Sequence, residues 1–599
     1  MAGRILISLA IFGLLILHVH GQELNTNETA AEEFLTQTSD KMFKFFDDLT
    51  DKEYFFDVDI RRNQYKLNRN YINFVNKIVE DARKFDFNRF KDENTKYAFK
   101  ILVQLNDQNV IGAKQYSRIL EALKELDFLP QYKYIAKFND TNTKLSFNPD
   151  VEEIVIKSKD EAEIEHYWAE WMKMLGEWAE KNLGPTIESI EQAANLSEVS
   201  PLEFWSRGYN ITDMEELLLE IMPLYKELHA FLRNLIEKRY GASLIDKTNG
   251  RIPDHLFQQI KIQLMTNDSL IEEMFPLESL PPTVDIGETQ PIRVYKTTED
   301  FYENLGFARY PESIWQGHLH VDHEDDTGDE ECEARVIYKT PNVFLNFCEN
   351  MNYWDVLESY MNMGYLHYAR EMTGLPAYFF SAPQRLDYAI GKTIILSAST
   401  HNNLMKIGMI PDDDISEKVE MNRLLRMAIR RLLYLPIDFV HAKVISDLLE
   451  GKIILEYVSS HYWDVMHKYA GVTKPWGLYT EFYDMTVDFY KEMNDNLMSS
   501  EFVTEILSFQ LHKKLCKISG KYPKEPLHLC NIGGSKSAGH VLKEMMRPGK
   551  SKPFYQVLAI MFPENPKISA EGISEYYKPL MNMLAMENKK AKLNIGWPE

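Results

Sequence analysis

A mostly α-helical fold follows from two features of the sequence: apolar residues recur at three- and four-residue spacing over long stretches, and alternating strand patterns are short and rare. A third feature, helical patterns that resume after each less regular stretch with no change of composition, predicts one large domain over residues 22–599. With 45% apolar and 26% charged residues, the 599-residue chain can build a sizeable core and does not resemble a disordered one.

Taken in order, the chain opens with Arg4 ahead of the apolar run Ile5 to Leu17, and Val19 and Gly21 stand at minus three and minus one of a cut after Gly21. Residues 1–21 therefore read as a signal peptide, and thirteen apolar residues are too few to span a bilayer. No later stretch reaches eighteen, so a secreted protein with no membrane anchor is expected. From Ile164, the residues Trp168, Trp171, Met172, Leu175 and Trp178 mark a helix with one buried and one wet face. Another helix opens near Asp414 and Glu417, carries Met421, Leu424, Leu425, Ala428 and Leu432 on one face, and is expected to stop at Pro436. Loops are expected near 139–160, 276–295 and 317–331, where Pro, Gly, Asn and Asp gather.

Four cysteines, Cys332, Cys348, Cys516 and Cys530, follow the signal peptide, and an even count on a secretory route argues for disulfides. Of the three connectivities, the local one is favoured, and each such loop closure contributes about 3 kcal/mol in the chain-entropy view. Asn27, Asn139, Asn195, Asn210 and Asn267 head N-glycosylation sequons, which fit the same route.

A formal net charge of −23 repels phosphate backbones and argues against a nucleic-acid partner. Acidity that keeps a secreted protein soluble explains it, and an acidic cleft attracting basic peptides is the sharper alternative.

The chemistry is sparse. A zinc peptidase needs two histidines one helical turn apart and a glutamate between them to activate bound water, and the sixteen histidines contain no such pair. His318, His320 and His323, followed by Glu324, Asp325 and Asp326, have metal-like spacing, which a solvated acidic loop explains equally well. Gly391 to Thr393 end like a phosphate loop, but Leu386 stands where its first glycine belongs. No G-x-S-x-G nucleophile motif occurs.

Several ordered stretches resemble the angiotensin-converting enzymes, zinc peptidases that remove dipeptides from peptide C-termini: "PLYKELHAFLRN" from Pro223, "KRYGASLI" from Lys238, "GRIPDHLF" from Gly250, "FQLHKKLC" from Phe509, "PLHLCNI" from Pro526, "SKSAG" from Ser535, "YYKPLMNML" from Tyr576 and the closing "GWPE". Both local cysteine pairs match bridges of that family, whereas a third family bridge has no cysteines here. The resemblance implies a large two-lobed helical ellipsoid with a deep central groove, a zincin-like peptidase scaffold. It also implies that the site helix runs from Tyr353 to Thr373, with Gly374 and Pro376 ending it.

Carried over position by position, the family's H-E-M-G-H becomes Met361, Asn362, Met363, Gly364 and Tyr365, and its H-E-A-I-G-D becomes "DYAIGK" from Asp387. The three zinc-ligand positions are then Met361, Tyr365 and Tyr388, the base position is Asn362, and Lys392 replaces a supporting aspartate. A thioether and phenols are poor zinc ligands, and a lysine repels a dication. The oxyanion-stabilising tyrosine maps to Glu501 and its neighbouring anion-binding arginine to Ser500. On the substrate side, a histidine maps to Glu333, and the carboxylate-gripping lysine and tyrosine map to Phe489 and Met498. Gln263 and Ala334 match family residues that contact peptide.

The resemblance thus implies an inactive secreted homologue with no cofactor, expected to be a monomer and to engage a peptide or an extracellular protein. Repacking of an empty cleft accounts for the replacements, and the alternative is that Tyr360, Tyr365, Tyr378 and Tyr388 line a new pocket or contact surface. Two other functions stand beside this one: an enzyme with another metal or a dispersed site, drawing on the His318 cluster, and a structural or storage protein of an extracellular fluid.

Overall fold

The computed structural model describes residues 24–55, 60–105, 111–206, 208–241, 244, 249–266, 291–315, 336–339, 342–345, 353–410, 416–475, 485–495 and 497–598. The signal-peptide segment, the His318 cluster, Asn267, Glu333, Ala334 and the pair Cys332 and Cys348 lie outside them. The described chain is mostly helical, as the periodicity predicts.

The helices that matter below are α1 (Glu28–Phe55), α2 (Ile60–Ala82), α3 (Glu93–Val103), α4 (Glu161–Leu196), α5 (Ile211–Tyr240), α6 (Asp254–Thr266), α7 (Pro291–Asn304), α8 (Tyr353–Glu371), α9 (Leu386–Ala398), α10 (Glu417–Arg431), α11 (Leu435–Leu449), α12 (Val487–Asp495), α13 (Leu497–Ile518) and α14 (Lys578–Lys590). Three two-stranded pairings accompany them: β1 (Tyr134–Lys137) with β2 (Asp140–Ser146), antiparallel; β3 (Ile252–Pro253) with β6 (Val472–Thr473), parallel; and β4 (Val336–Lys339) with β5 (Asn342–Leu345), antiparallel.

Local chemistry sets the boundaries. Asp160 caps α4 by accepting the Ala162 N–H at 3.1 Å. Ile164, Trp168, Met172, Leu175 and Trp178 are buried, while Trp171 is half-buried against Phe147. Ser416 caps α10 by accepting from Val419 N, and basic Arg430 and Arg431 occupy its last turn, where cations oppose the helix dipole.

Two expectations need correction. Pro436 does not end α10: it sits in the first turn of α11, where the N–H it lacks would have no intrahelical partner. The stretch 139–160 is not an irregular loop, because 140–146 forms β2, a helical turn spans Phe147–Val151 and a short helix spans Glu152–Lys157. The polar residues there serve the turn: Asp140 accepts from Asn142 N and Thr143 Oγ1, and Asp150 accepts from Ser146.

The buried apolar residues form one large continuous cluster that reaches from Leu126 to Leu584, and a smaller one centred on Phe99 that joins α1, α2 and α3. Cys516 and Cys530 form the expected bridge.

The C-terminal segment is fixed into the large cluster. Arg233, buried on α5, donates to the carbonyls of Gly250 at 2.7 Å, Gly596 at 2.9 Å and Asn594. Trp597 packs against His229 with ring centroids 4.6 Å apart.

Candidate functional site

Two glycines bring the site helices together. A Cβ on Gly391 of α9 would overlap Met361 Cγ of α8, and a Cβ on Gly364 would come within 2.7 Å of the Tyr302 hydroxyl and 3.7 Å of Gly391 Cα. The missing side chains let α8 and α9 pack at short range, which places Met361 and Tyr388 on a common cavity.

That cavity measures about 240 Å³ and is walled by α8, α9, α10, α11 and α13. Met361, Tyr388, Lys392 and Glu501 line it, so four of the positions carried over from the family motifs meet there. Asn362 does not: it is buried, and its Nδ2 donates to the Tyr295 hydroxyl at 3.2 Å, toward α7. Tyr365 packs on Tyr388 with ring centroids 5.4 Å apart.

Tyr360 and Tyr378 do not line the cavity. Tyr360 is a core residue whose hydroxyl accepts from Asn403 Nδ2 at 3.1 Å and whose ring edge meets Phe301, and Tyr378 belongs to the smaller core cluster. Of the four tyrosines in the alternative reading, Tyr388 lines the cavity and Tyr365 packs behind it.

Elsewhere, Ser500 is buried and its hydroxyl lies 3.4 Å from Arg385 Nη1. Phe489, on α12, is fully buried and packs against His441, Tyr462 and Tyr490. Gln263 falls in α6 and Met498 in α13, with side chains outside the described set.

The electrostatics centre on Lys392. Its ammonium donates to Glu501 and stands 3.2 Å from Glu505, which lies one helical turn further along α13; Arg431 Nε is 2.6 Å from the other Glu505 oxygen. Burial works against charge at Lys392, but the Glu501 and Glu505 carboxylates outweigh it and hold its pKa above the ordinary lysine value. Burial likewise opposes ionisation of Glu501, and the Lys392 charge outweighs it, so its pKa is lowered. Lys392 and Glu501 are therefore both charged at neutral pH.

Arg385 completes the cluster. It and Gln384 hold left-handed backbone angles, φ 52° and 44°, uncommon for side-chain-bearing residues and costly to maintain. The turn they make into α9 lays the Arg385 guanidinium over the Tyr388 ring at 3.7 Å.

The donors at the three mapped ligand positions do not fit a zinc ion. Met361 offers a soft thioether. Burial, the neighbouring Tyr388 and the Asp387 charge push the Tyr365 phenol far above its usual pKa, so no phenolate forms there. Tyr388 is flanked by two cations, Arg385 over its ring and Lys392 at 5.9 Å, both of which repel a dication. Among the described residues, one trio of potential metal ligands lies within reach of a shared ion, His512 with Cys516 and Cys530, and those sulfurs are bonded to each other.

Sequence reasoning missed Arg385, Glu505 and Arg431. The four-residue spacing of Glu501 and Glu505 was a readable signal that one cation could serve both. Nothing local announces a left-handed arginine.

Comparison with known proteins places these residues in context. The family profile described as angiotensin-converting enzyme matches residues 25–597. Angiotensin-converting enzyme of Bos taurus is 24% identical over 595 residues, covering 97% of this chain and 45% of the bovine protein. That of Haematobia irritans exigua is 24% identical over 601 residues, 96% of each chain. Angiotensin-converting enzyme-like protein Ace3 of Mus musculus is 26% identical over 538 residues, 86% of this chain and 71% of the mouse protein.

Proposed function

Since the chain belongs to the angiotensin-converting enzyme family, we propose that it is a member in which the catalytic centre has become a binding site, without zinc and without peptidase activity. The observation that carries the reading is the Lys392 ammonium set between Glu501 and Glu505 in the cavity lined by Met361 and Tyr388. A side-chain cation stands where the family motif carries a supporting aspartate, and Asn362 has no carboxylate with which to take a proton from water.

The retained scaffold favours engagement of a peptide or protein segment over a purely structural role, and Gln263 and Ala334 preserve family residue types on the peptide-binding side. Secretion accords with the signal-peptide pattern and the Cys516–Cys530 bridge. No helix among the described residues is long and apolar enough to cross a membrane. Asn27, Asn139, Asn195 and Asn210 are exposed, as glycan acceptors must be. Asn210 also caps α5 through its Oδ1, 2.8 Å from Thr212 N, which leaves Nδ2 for a glycan.

The test is incubation of the purified chain with a panel of extracellular peptides. A ligand that binds only the folded state raises its Tm in a concentration-dependent way. Intact peptides with a rising Tm are expected, whereas trimming of C-terminal dipeptides by the protein would overturn the proposal.

A further inference from the structure

Most of the charges around the cavity are paired with one another. Lys392 holds Glu501 and Glu505, Arg431 holds Glu505, and Arg430 lies 3.7 Å from Glu358. Two of the three aromatic side chains that line the cavity carry an internal cation over the ring as well, Trp354 with Arg430 at 4.1 Å and Tyr388 with Arg385 at 3.7 Å, the third being Tyr434. A charged group entering this space must either break an existing pair or be buried beside groups already paired, and both are costly.

The remaining wall is apolar: Leu357, Met361, Ile395, Met427 and Leu435. Its two thioethers are adaptable and make favourable contacts with ring edges. In size, the cavity of about 240 Å³ exceeds the roughly 150 Å³ that suffices for benzene in an apolar protein cavity. It falls short of the roughly 300 Å³ at which sites for drug-sized ligands begin.

We propose that this cavity takes one uncharged aromatic group, of one ring or two fused rings, and discriminates against the same ring bearing a carboxylate or an ammonium. This rests on the binding-site reading above and adds the ligand class. It also separates the chain from a peptidase that grips a free C-terminal carboxylate, since Phe489 is buried at one of the positions that would do so. The ring can come from an internal Phe or Trp of a peptide or from a free small compound.

The test uses the full chain with four probes of shared shape: indole, N-acetyltryptophanamide, indole-3-acetate and tryptamine, read by calorimetric titration and by Tm. Saturable binding of a neutral probe is expected, with both charged probes at least tenfold weaker. Tighter binding of the amide than of indole points to a peptide side chain, and the reverse points to a free compound; either supports the proposal. Filling the cavity by Ile395→Phe should weaken the neutral probes at least tenfold. If that variant fails to fold, the ranking of charged against neutral probes on the unmodified chain still decides. Absence of saturable binding by both neutral probes, or equal affinity for indole and indole-3-acetate, would overturn the inference while leaving the peptide-panel result standing. Dipeptide release by the protein would instead overturn the reading beneath it.

Discussion

Lys392 on α9 and Glu501 on α13 are joined by a direct ammonium–carboxylate hydrogen bond, with Glu505 3.2 Å from the same ammonium. The pair links two neighbouring helices across the cavity and fixes the sign of charge at its centre. Removing one partner leaves the other charge without its main compensation, and that is more damaging than removing both. Lys392→Met should therefore lower stability by about 2–4 kcal/mol, somewhat below the range for fully buried pairs because Glu501 retains solvent contact. Lys392→Met with Glu501→Gln should recover part of that loss. Urea unfolding of the two variants beside the parent checks both statements.

The same pair sets a pH window. The lowered Glu501 pKa contributes stability that is complete above the ordinary value of 4.5 and is lost as pH falls through the folded value; the raised Lys392 pKa contributes stability complete below 10.5 and lost as pH rises through its folded value. Tm measured against pH should show a plateau from roughly pH 5 to 10 in the difference between the parent and Lys392→Met/Glu501→Gln. A difference that does not change with pH would contradict it.

His229 adds an acid limb of its own. Burial chiefly, relieved a little by its hydrogen bond to the Gly471 carbonyl at 2.9 Å, pushes its pKa from 6.5 down to about 3. Its neutral form is held in the folded state, so its contribution is complete above pH 6.5 and is lost as pH falls from there toward 3. His229→Asn keeps a donor but does not titrate. Its stability should be lower at pH 7, through lost packing against Trp597, and should fall less steeply between pH 6 and 4 than that of the parent.

Gly391→Ala tests the close approach of α8 and α9. The new Cβ collides with Met361, so a loss of about 1–3 kcal/mol is expected. Adding Met361→Ala relieves the collision, and a double-mutant cycle should show that the two changes are not additive.

Arg233→Met leaves the carbonyls of Gly250, Asn594 and Gly596 without this donor. Unmet buried acceptors cost about 1–3 kcal/mol each where no water reaches them. Limited proteolysis should cut residues 594–598 faster in the variant, and thermal unfolding should begin earlier.

The fold was largely legible in the sequence because helix periodicity is a local signal: the face Ile164, Trp168, Met172, Leu175 and Trp178 is buried as predicted. What failed depended on context. Pro436 reads as a stop until the next helix is seen to begin there, and residues 139–160 read as a loop because their turn residues mask a short hairpin. At the site, the carried-over motif placed Met361, Tyr388, Lys392 and Glu501 together, and they do meet. The alternative in which Tyr360 and Tyr378 line the cavity does not hold, because residue type does not tell which side chains the packing buries. Arg385 was invisible for a similar reason, since its role depends on a left-handed backbone turn.

Changing one mapped ligand position by Met361→His should not create a zinc site while Tyr365, Tyr388, Asn362 and Lys392 remain. The most direct measurement is the zinc content of the purified, zinc-dialysed protein, read together with chelator-sensitive release of C-terminal dipeptides. Far less than one equivalent of zinc and no release is the predicted result. One equivalent of bound zinc with release that a chelator abolishes would contradict it.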